Sequence, residues 1–258
     1  MSAEKSRISA EWLSSLEKLD QAQIISQNTS AIIQEIEKPT PNTAALKALI
    51  ATEPLLSAKL LLICNSPFFG FPRTIENIEE TIVLLGYKKL KSLIFTSVVM
   101  GTAGNEKLAG YVKHSLTTAL ICRELYGKMG LPEDNGYLTG LLHLLPVLIN
   151  YEPGLEKFLT VNLLHDASAI LFSKMNFPER ISNAIVELYQ QSRHCKETSA
   201  LKLAFNMAIV LQGKKEAVFK KLNNLDVELQ VLNLKPSELA DITFGIRDER
   251  NDLIKLIR

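Results

Sequence analysis

Few residues in this chain have the types and spacing for chemistry. His165 and Asp166 form an adjacent His-Asp pair. A histidine beside a carboxylate can ligate a metal or serve as a base held in one tautomer. Neighbours on a helix point about 100° apart, so sharing one metal needs special geometry, and the plainer reading is polar helix surface. His114 and His143 stand in the apolar helical stretches YVKHSLTTALICREL and YLTGLLHLLP, where a histidine is more often a hydrogen-bonded core residue than a ligand. Cys64, Cys122 and Cys195 are far apart with no C-x-x-C. They suggest neither a zinc knuckle nor a disulfide framework, only free thiols in a reducing compartment. Lys88, Lys89 and Lys91 form one basic cluster, and Lys214, Lys215, Lys220 and Lys221 another. Neither is interleaved with aromatics, and the net charge is +1. Solvated helix faces are expected rather than a nucleic-acid surface. Gly101 and Gly104 do not match the spacing of a phosphate-binding loop, and no Ser-His-Asp order can be defended from spacing.

The elements that must position these residues are helices. Strand signals are nearly absent and helical spacing runs throughout, so the fold class is all-α. Hydrophobic residues make up 47% of the 258 and charged residues 22%, enough to bury a sizeable core. Helices are expected over 8–19, 22–37 and 43–51, the last capped by Asn42. Pro54 opens another, its missing N–H harmless in a first turn. In that helix Leu55, Leu56, Leu60, Leu61, Leu62 and Ile63 surround the axis, which predicts burial on most sides. Asn65 is expected as a left-handed C-cap ahead of Pro67. Phe68, Phe69 and Phe71 make an aromatic loop that should fold back on the leucine helix rather than present a docking surface. Asn77 and Glu80 have capping-box spacing for a helix that Gly86 ends. A further helix runs over 88–99, with a loop at 101–105. Later helices are expected over 107–129, unbroken over 132–151, over 155–175, from 177 through 188, and over 199–211, 214–222 and 236–246. The tail at 247–258 carries no specific signal. The first residues lack the apolar region of a signal peptide, and the most apolar run, 138–151, is too short to span a bilayer. A cytoplasmic protein without membrane association is expected.

The stretch EPLLSAKLLLICNSPFFGFPRTIENIEETIVLLGYKKLK, residues 53–91, resembles the HDOD family, non-catalytic relatives of the HD phosphohydrolases. The resemblance rests on Glu53-Pro54, Leu60 to Leu62, Asn65-Ser66, Phe68-Phe69, Ile75 to Ile78, Thr81-Ile82 and Leu85-Gly86. Glu53 stands where Asp is usual, Asn77 where Ser is usual and Thr81 where Ala is usual. Pro54, Asn65, Ser66 and Gly86 are motif residues with structural roles. More weakly, the resemblance extends over 16–211. It implies an N-terminal helical lobe over 16–103 and an HD-like lobe over 104–211, with 212–258 as a helical extension packed on them.

In metal-dependent HD enzymes, histidines and a His-Asp pair on neighbouring helices hold one or two metals. By that resemblance His114 matches the first histidine, His143 the histidine of the pair, and His165 a later one. Leu144 stands where the pair's Asp is needed, and Leu188-Tyr189 where a His-His pair often follows. The context of His165-Asp166 fits the later helix rather than the metal pair. The resemblance therefore implies a vestigial pocket at His114, His143 and His165, with no catalytic group, metal or cofactor. It implies a signalling module that binds a protein partner; as no transmembrane, receiver or cyclase-type segment is seen in this sequence, its signal would pass through separate chains. Two alternatives stay open: a phosphohydrolase of unusual ligation on those three histidines, and a nucleotide sensor using the pocket without turnover.

Overall fold

The structure, a computed structural model, describes residues 2–19, 26–102, 106–174, 178–190, 195–211 and 225–256. Among them there is no strand, as the helical periodicity predicts. The N-terminal segment forms α1 (Ser2–Lys18), α2 (Gln27–Glu37), α3 (Thr43–Ala51), α4 (Pro54–Cys64) and α5 (Ile78–Gly101). The C-terminal part forms α6 (Glu106–Lys128), α7 (Glu133–Leu142), α8 (Leu145–Ile149), α9 (Val161–Lys174), α10 (Glu179–Glu187) and α11 (Lys196–Leu211). It ends with α12 (Asp226–Val231), α13 (Pro236–Gly245) and α14 (Arg247–Lys255). The expected helix over 214–222 and its lysine cluster lie outside the described residues. No helix among the described residues is long and apolar enough to cross a membrane.

Local signals explain several helix starts. The side chains of Ser26, Asn42 and Asn77 accept from Thr29, Ala45 and Glu80 N–H groups, at 3.1, 3.0 and 2.9 Å, relieving donors that no helical carbonyl reaches. The capping box at Asn77 is displaced: Glu80 accepts from the N–H of Glu76, 3.2 Å away, and pairs with Arg73. Gly86 interrupts α5 at φ 69°, ψ 169°, a backbone that only glycine adopts without strain.

Several expectations are corrected. The leucine helix α4 is not buried on most sides: Leu55 is 69% exposed and Leu62 55%, while Leu56, Leu60 and Ile63 face the core. Asn65 is not a left-handed cap, since its φ is −83°. Its amide instead bridges Leu61 and Ile75. The Nδ2 donates to both carbonyls at 3.0 and 2.8 Å, and Oδ1 accepts from Ile75 N–H at 2.7 Å. This closes the aromatic loop like a clasp. Buried Ser66 donates to the Ile63 carbonyl at 2.6 Å. Phe68, Phe69 and Phe71 are half-buried against the core, in line with the fold-back reading. The helix expected over 132–151 breaks at His143 and Leu144, with Pro146 in the first turn of α8. In place of one helix over 155–175 there is a 3-10 turn, Leu155–Lys157, followed by α9. Of the loop expected at 101–105, Gly101 belongs to α5, and 103–105 lie outside the described residues. The tail folds as α14.

One continuous apolar core runs from Ile32 and Ile36 through α4, α5, α6, α7 and α11 to Leu253, so helices from both halves of the chain share an interior. A second, smaller cluster joins Trp12 and Leu16 of α1 to Leu144, Val147, Leu155, Leu163 and Ala167. Leu16 thus packs against residues 144–167, far along the chain.

Candidate functional site: a closed histidine pocket

The site begins with two glycines. Gly136 and Gly140 lie one turn apart on α7, both facing α6. A Cβ on Gly140 would come within 2.6 Å of Ala119 Cα, and one on Gly136 within 2.8 Å of the Cys122 carbonyl. Their bare backbones let the two helices touch, which sets His143 beside His114 of α6. The two rings are 5.3 Å apart, edge to face, and Phe205 of α11 lies edge-on to each, at 4.9 Å from His114 and 5.5 Å from His143.

His143 is fully buried. Its Nδ1 lies 2.6 Å from the Gly140 carbonyl; a carbonyl only accepts, so Nδ1 carries the proton. Its Nε2 is buried and makes no hydrogen bond. Burial, and to a lesser degree the neighbouring His114, pushes its pKa down to about 3, because a low-dielectric interior disfavours the charged imidazolium. His143 is thus neutral across the physiological range.

Its neighbour Leu144 faces a different part of the molecule, the apolar cluster under Trp12 and Leu16. Tyr189 is buried and donates to the His143 carbonyl at 3.1 Å, bracing the turn between α7 and α8. His165 is not brought into contact with the histidine pair. Its Nδ1 lies 3.0 Å from the Asp166 carboxylate, and its Nε2 2.6 Å from the amide of Gln190. The adjacent His-Asp pair therefore does hydrogen-bond, but on a half-exposed face of α9.

A metal of the kind held in HD enzymes does not fit these residues. It would need ligands beyond two imidazoles, and position 144 offers only a hydrocarbon. The Phe205 ring packs against both histidines, and both nitrogens of His165 are engaged elsewhere. Among the described residues no three His, Cys, Asp or Glu groups are placed to hold an ion.

The HDOD domain profile matches residues 24–153, the span that contains the Asn65 clasp, the Gly86 break and the glycine-packed α6–α7 pair. This chain belongs to the HDOD domain family. An HDOD domain protein of unknown function from Geobacter sulfurreducens has a similar fold, with a TM-score of 0.72 at 17% identity over 99% of both chains. So does a candidate phosphohydrolase from Shewanella amazonensis SB2B, with a TM-score of 0.71 at 16% identity over 96% of this chain and 98% of that one. At such identities the likeness is one of fold. The uncharacterized protein YuxH of Bacillus subtilis is 27% identical over 124 residues, 47% of this chain. The match spans 30% of that protein's length.

This HDOD protein also has an open cleft that the sequence analysis missed. It is about 340 Å³ in volume and lies between the aromatic loop, α5, α6, the start of α7 and α14. Phe68 and Phe69 wall one side, Ser92, Thr96 and Tyr137 supply hydroxyls, and Glu133 and Asp134 stand at the first turn of α7. Arg123 is locked in place by Glu249, through two 2.7 Å bonds, and by Glu124. Burial alone would lower the Arg123 pKa, but these carboxylates carry it above its usual range. A signal was present: Lys89, Ser92 and Thr96 place polar groups at i, i+3 and i+7 on an otherwise buried helix face.

Proposed function

We propose that this HDOD chain is a non-catalytic regulatory module of signal transduction that acts by binding another protein. One observation carries the reading: the position where an HD enzyme needs a carboxylate is a leucine serving as a core residue, beside a neutral histidine sealed by Phe205. Leu144 and Phe205 supply nothing that would polarise a phosphoryl oxygen or activate water, which supports a binding role. Exposed apolar surface adds support. Leu55, Ala58 and Leu62 lie on one face of α4 and are exposed, the spacing of a helical stripe.

The test is metal analysis of untagged protein, followed by hydrolysis assays on nucleotides and cyclic dinucleotides. No stoichiometric metal and no turnover are expected. Stoichiometric metal lost in a His143→Ala variant, together with turnover, would sink the reading in favour of a phosphohydrolase. Saturable nucleotide binding without turnover would favour a sensor. For the positive side, a Leu55→Glu/Leu62→Glu variant should keep its helix content and lose partners that the unaltered chain captures.

A further inference from the structure

α14 is held by one apolar anchor and a set of charges. Of its nine residues only Leu253 is buried; Leu256, just past its end, is half-buried against the core. α13, which leads into it, is docked differently, burying Leu239, Ala240, Ile242 and Thr243. Buried Ile246 joins the two helices with no linker between them. The remaining anchors of α14 are polar. Glu249 accepts two 2.7 Å bonds from the Arg123 guanidinium of α6, and Arg250 Nε donates to Thr117 Oγ1 at 2.8 Å. Burial pushes the Arg250 pKa down, because docking takes that cation partly out of water.

The arginine that holds Glu249 is shared. Arg123 Nη2 donates to Glu249 and, at the same 2.7 Å, to Glu124 of its own helix; Nε donates to Glu124 as well, at 3.1 Å. Two carboxylate oxygens therefore meet at one nitrogen, close enough to repel each other. With α14 docked, the trio carries one net negative charge. With α14 away, Glu124 still neutralises Arg123. The partly buried guanidinium thus has a partner in both arrangements, so α14 can leave without stranding a charge. Glu249 and Leu253 are the part of the cleft wall that α14 supplies. Their departure opens the cleft, whose other apolar lining is Ile63, Phe68, Phe69, Leu93 and Tyr137.

We propose that α14 is a strap hinged at Gly245 and Ile246. It closes one side of the cleft while Glu249 holds Arg123, and opens it when Arg123 passes to Glu124 alone. The structure shows the closed arrangement. The device sets how much of the aromatic lining meets solvent. It requires neither a ligand in the cleft nor a partner on α4, and so does not rest on the partner-binding reading above.

The test is hydrogen exchange of the full chain, followed by mass spectrometry on peptides from α6, α13 and α14, with hydrophobic-dye fluorescence alongside. In the unaltered chain the α14 amides should be protected at least tenfold less than those of α6 and α13. Glu249 is half-exposed, so Glu249→Gln leaves the core untouched. It should lower α14 protection by a further tenfold or more, as charge-assisted bonds are lost, with α6 and α13 unchanged and dye binding raised. Glu124→Gln should act in the opposite direction and raise α14 protection. It removes the repulsion between the two acids, and with it the partner that receives the guanidinium on release. A fixed ion-pair cluster would lose protection in both variants. Equal protection of α14 and α6 in the unaltered chain overturns the strap. So does a Glu249→Gln variant in which α14 is unchanged, the loss spreads to α6 or α13, or dye binding does not rise. Unchanged or lower α14 protection in Glu124→Gln overturns it as well. None of these results bears on metal content or turnover, which test the preceding reading.

Discussion

His143 and Leu144 are adjacent, yet their surroundings differ in every respect that matters to chemistry. Restoring the missing carboxylate in Leu144→Asp should not restore a metal site, because the side chain points among Trp12, Val147, Leu155 and Leu163 rather than toward the imidazoles. An unpaired charge there costs several kcal/mol. The expected result in urea denaturation is a loss at least as large as the roughly 2–5 kcal/mol of Leu144→Ala, with no metal retained. Stoichiometric uptake of zinc or manganese by the Asp variant would show that position 144 can still turn to the histidines. His143 itself makes a prediction about pH. The unfolded chain protonates it near 6.5, whereas the folded chain holds it neutral to about 3. Its contribution to stability is complete above pH 6.5. It falls as pH drops toward 3, by about 1.4 kcal/mol per unit through that window, because only the unfolded state takes up the proton. Denaturation at pH 7.5 and pH 5 should show a shallower loss in His143→Asn than in the unaltered chain. The imidazole NMR signals of His143 should not titrate between pH 8 and 5.

At the level of elements, the α6–α7 contact fixes the histidine pair, and two glycines make that contact. Gly140→Ala would place a methyl 2.6–2.7 Å from the backbone of Ala119 and Thr118. Backbone atoms cannot rotate out of the way as a side-chain tip can. The helices must move apart, with an expected loss of about 1–3 kcal/mol. Gly110 is the control: it lies on α6 with open space around its Cβ position, so Gly110→Ala should be neutral or stabilising by helix propensity. Thermal melts of the two variants distinguish close packing from a general effect of alanine. How legible each element was depended on how local its cause is. The caps at Asn42 and Asn77 and the break at Gly86 could be read because each acts within four residues. Asn65 was misread because its partner, Ile75, lies ten residues away across the aromatic loop. The break at His143–Leu144 sits in an apolar run, LLHLLP, whose only punctuation is Pro146. Hydrophobic periodicity cannot separate one helix from two there. The Gly136–Gly140 spacing was in view but carries meaning only once a facing helix is known.

For the molecule as a whole, the contact hardest to read from sequence is the return of α1 to the far lobe. Trp12 Nε1 donates to the Asn150 carbonyl at 2.7 Å, across 138 residues of sequence, and Asn150 donates in turn to Ser15 Oγ at 2.6 Å. The ammonium of Lys174 donates to the carbonyls of Leu16, Glu17 and Leu19. These are end-of-helix acceptors that a cation suits. No periodicity or motif encodes such a pairing; a lone tryptophan on an amphipathic helix says only that something will cover it. Because the buried residues under α1 form their own cluster, joined to the main core through the half-buried Leu19, Tyr111, Ile149 and Tyr151, its loss should be a local event. Trp12→Ala removes a fully buried indole, a change that costs roughly 3–5 kcal/mol when a core must absorb it. Here the cost is capped by the free energy of docking α1, since the helix can detach while α6 and α7 stay packed. Hydrogen exchange should therefore show lost protection in α1 and around Leu144, with protection in α6 and α7 retained, together with new binding of a hydrophobic dye. A uniform loss of protection through α6 and α7 would instead make α1 part of the single cooperative unit, and the second cluster an extension of the first.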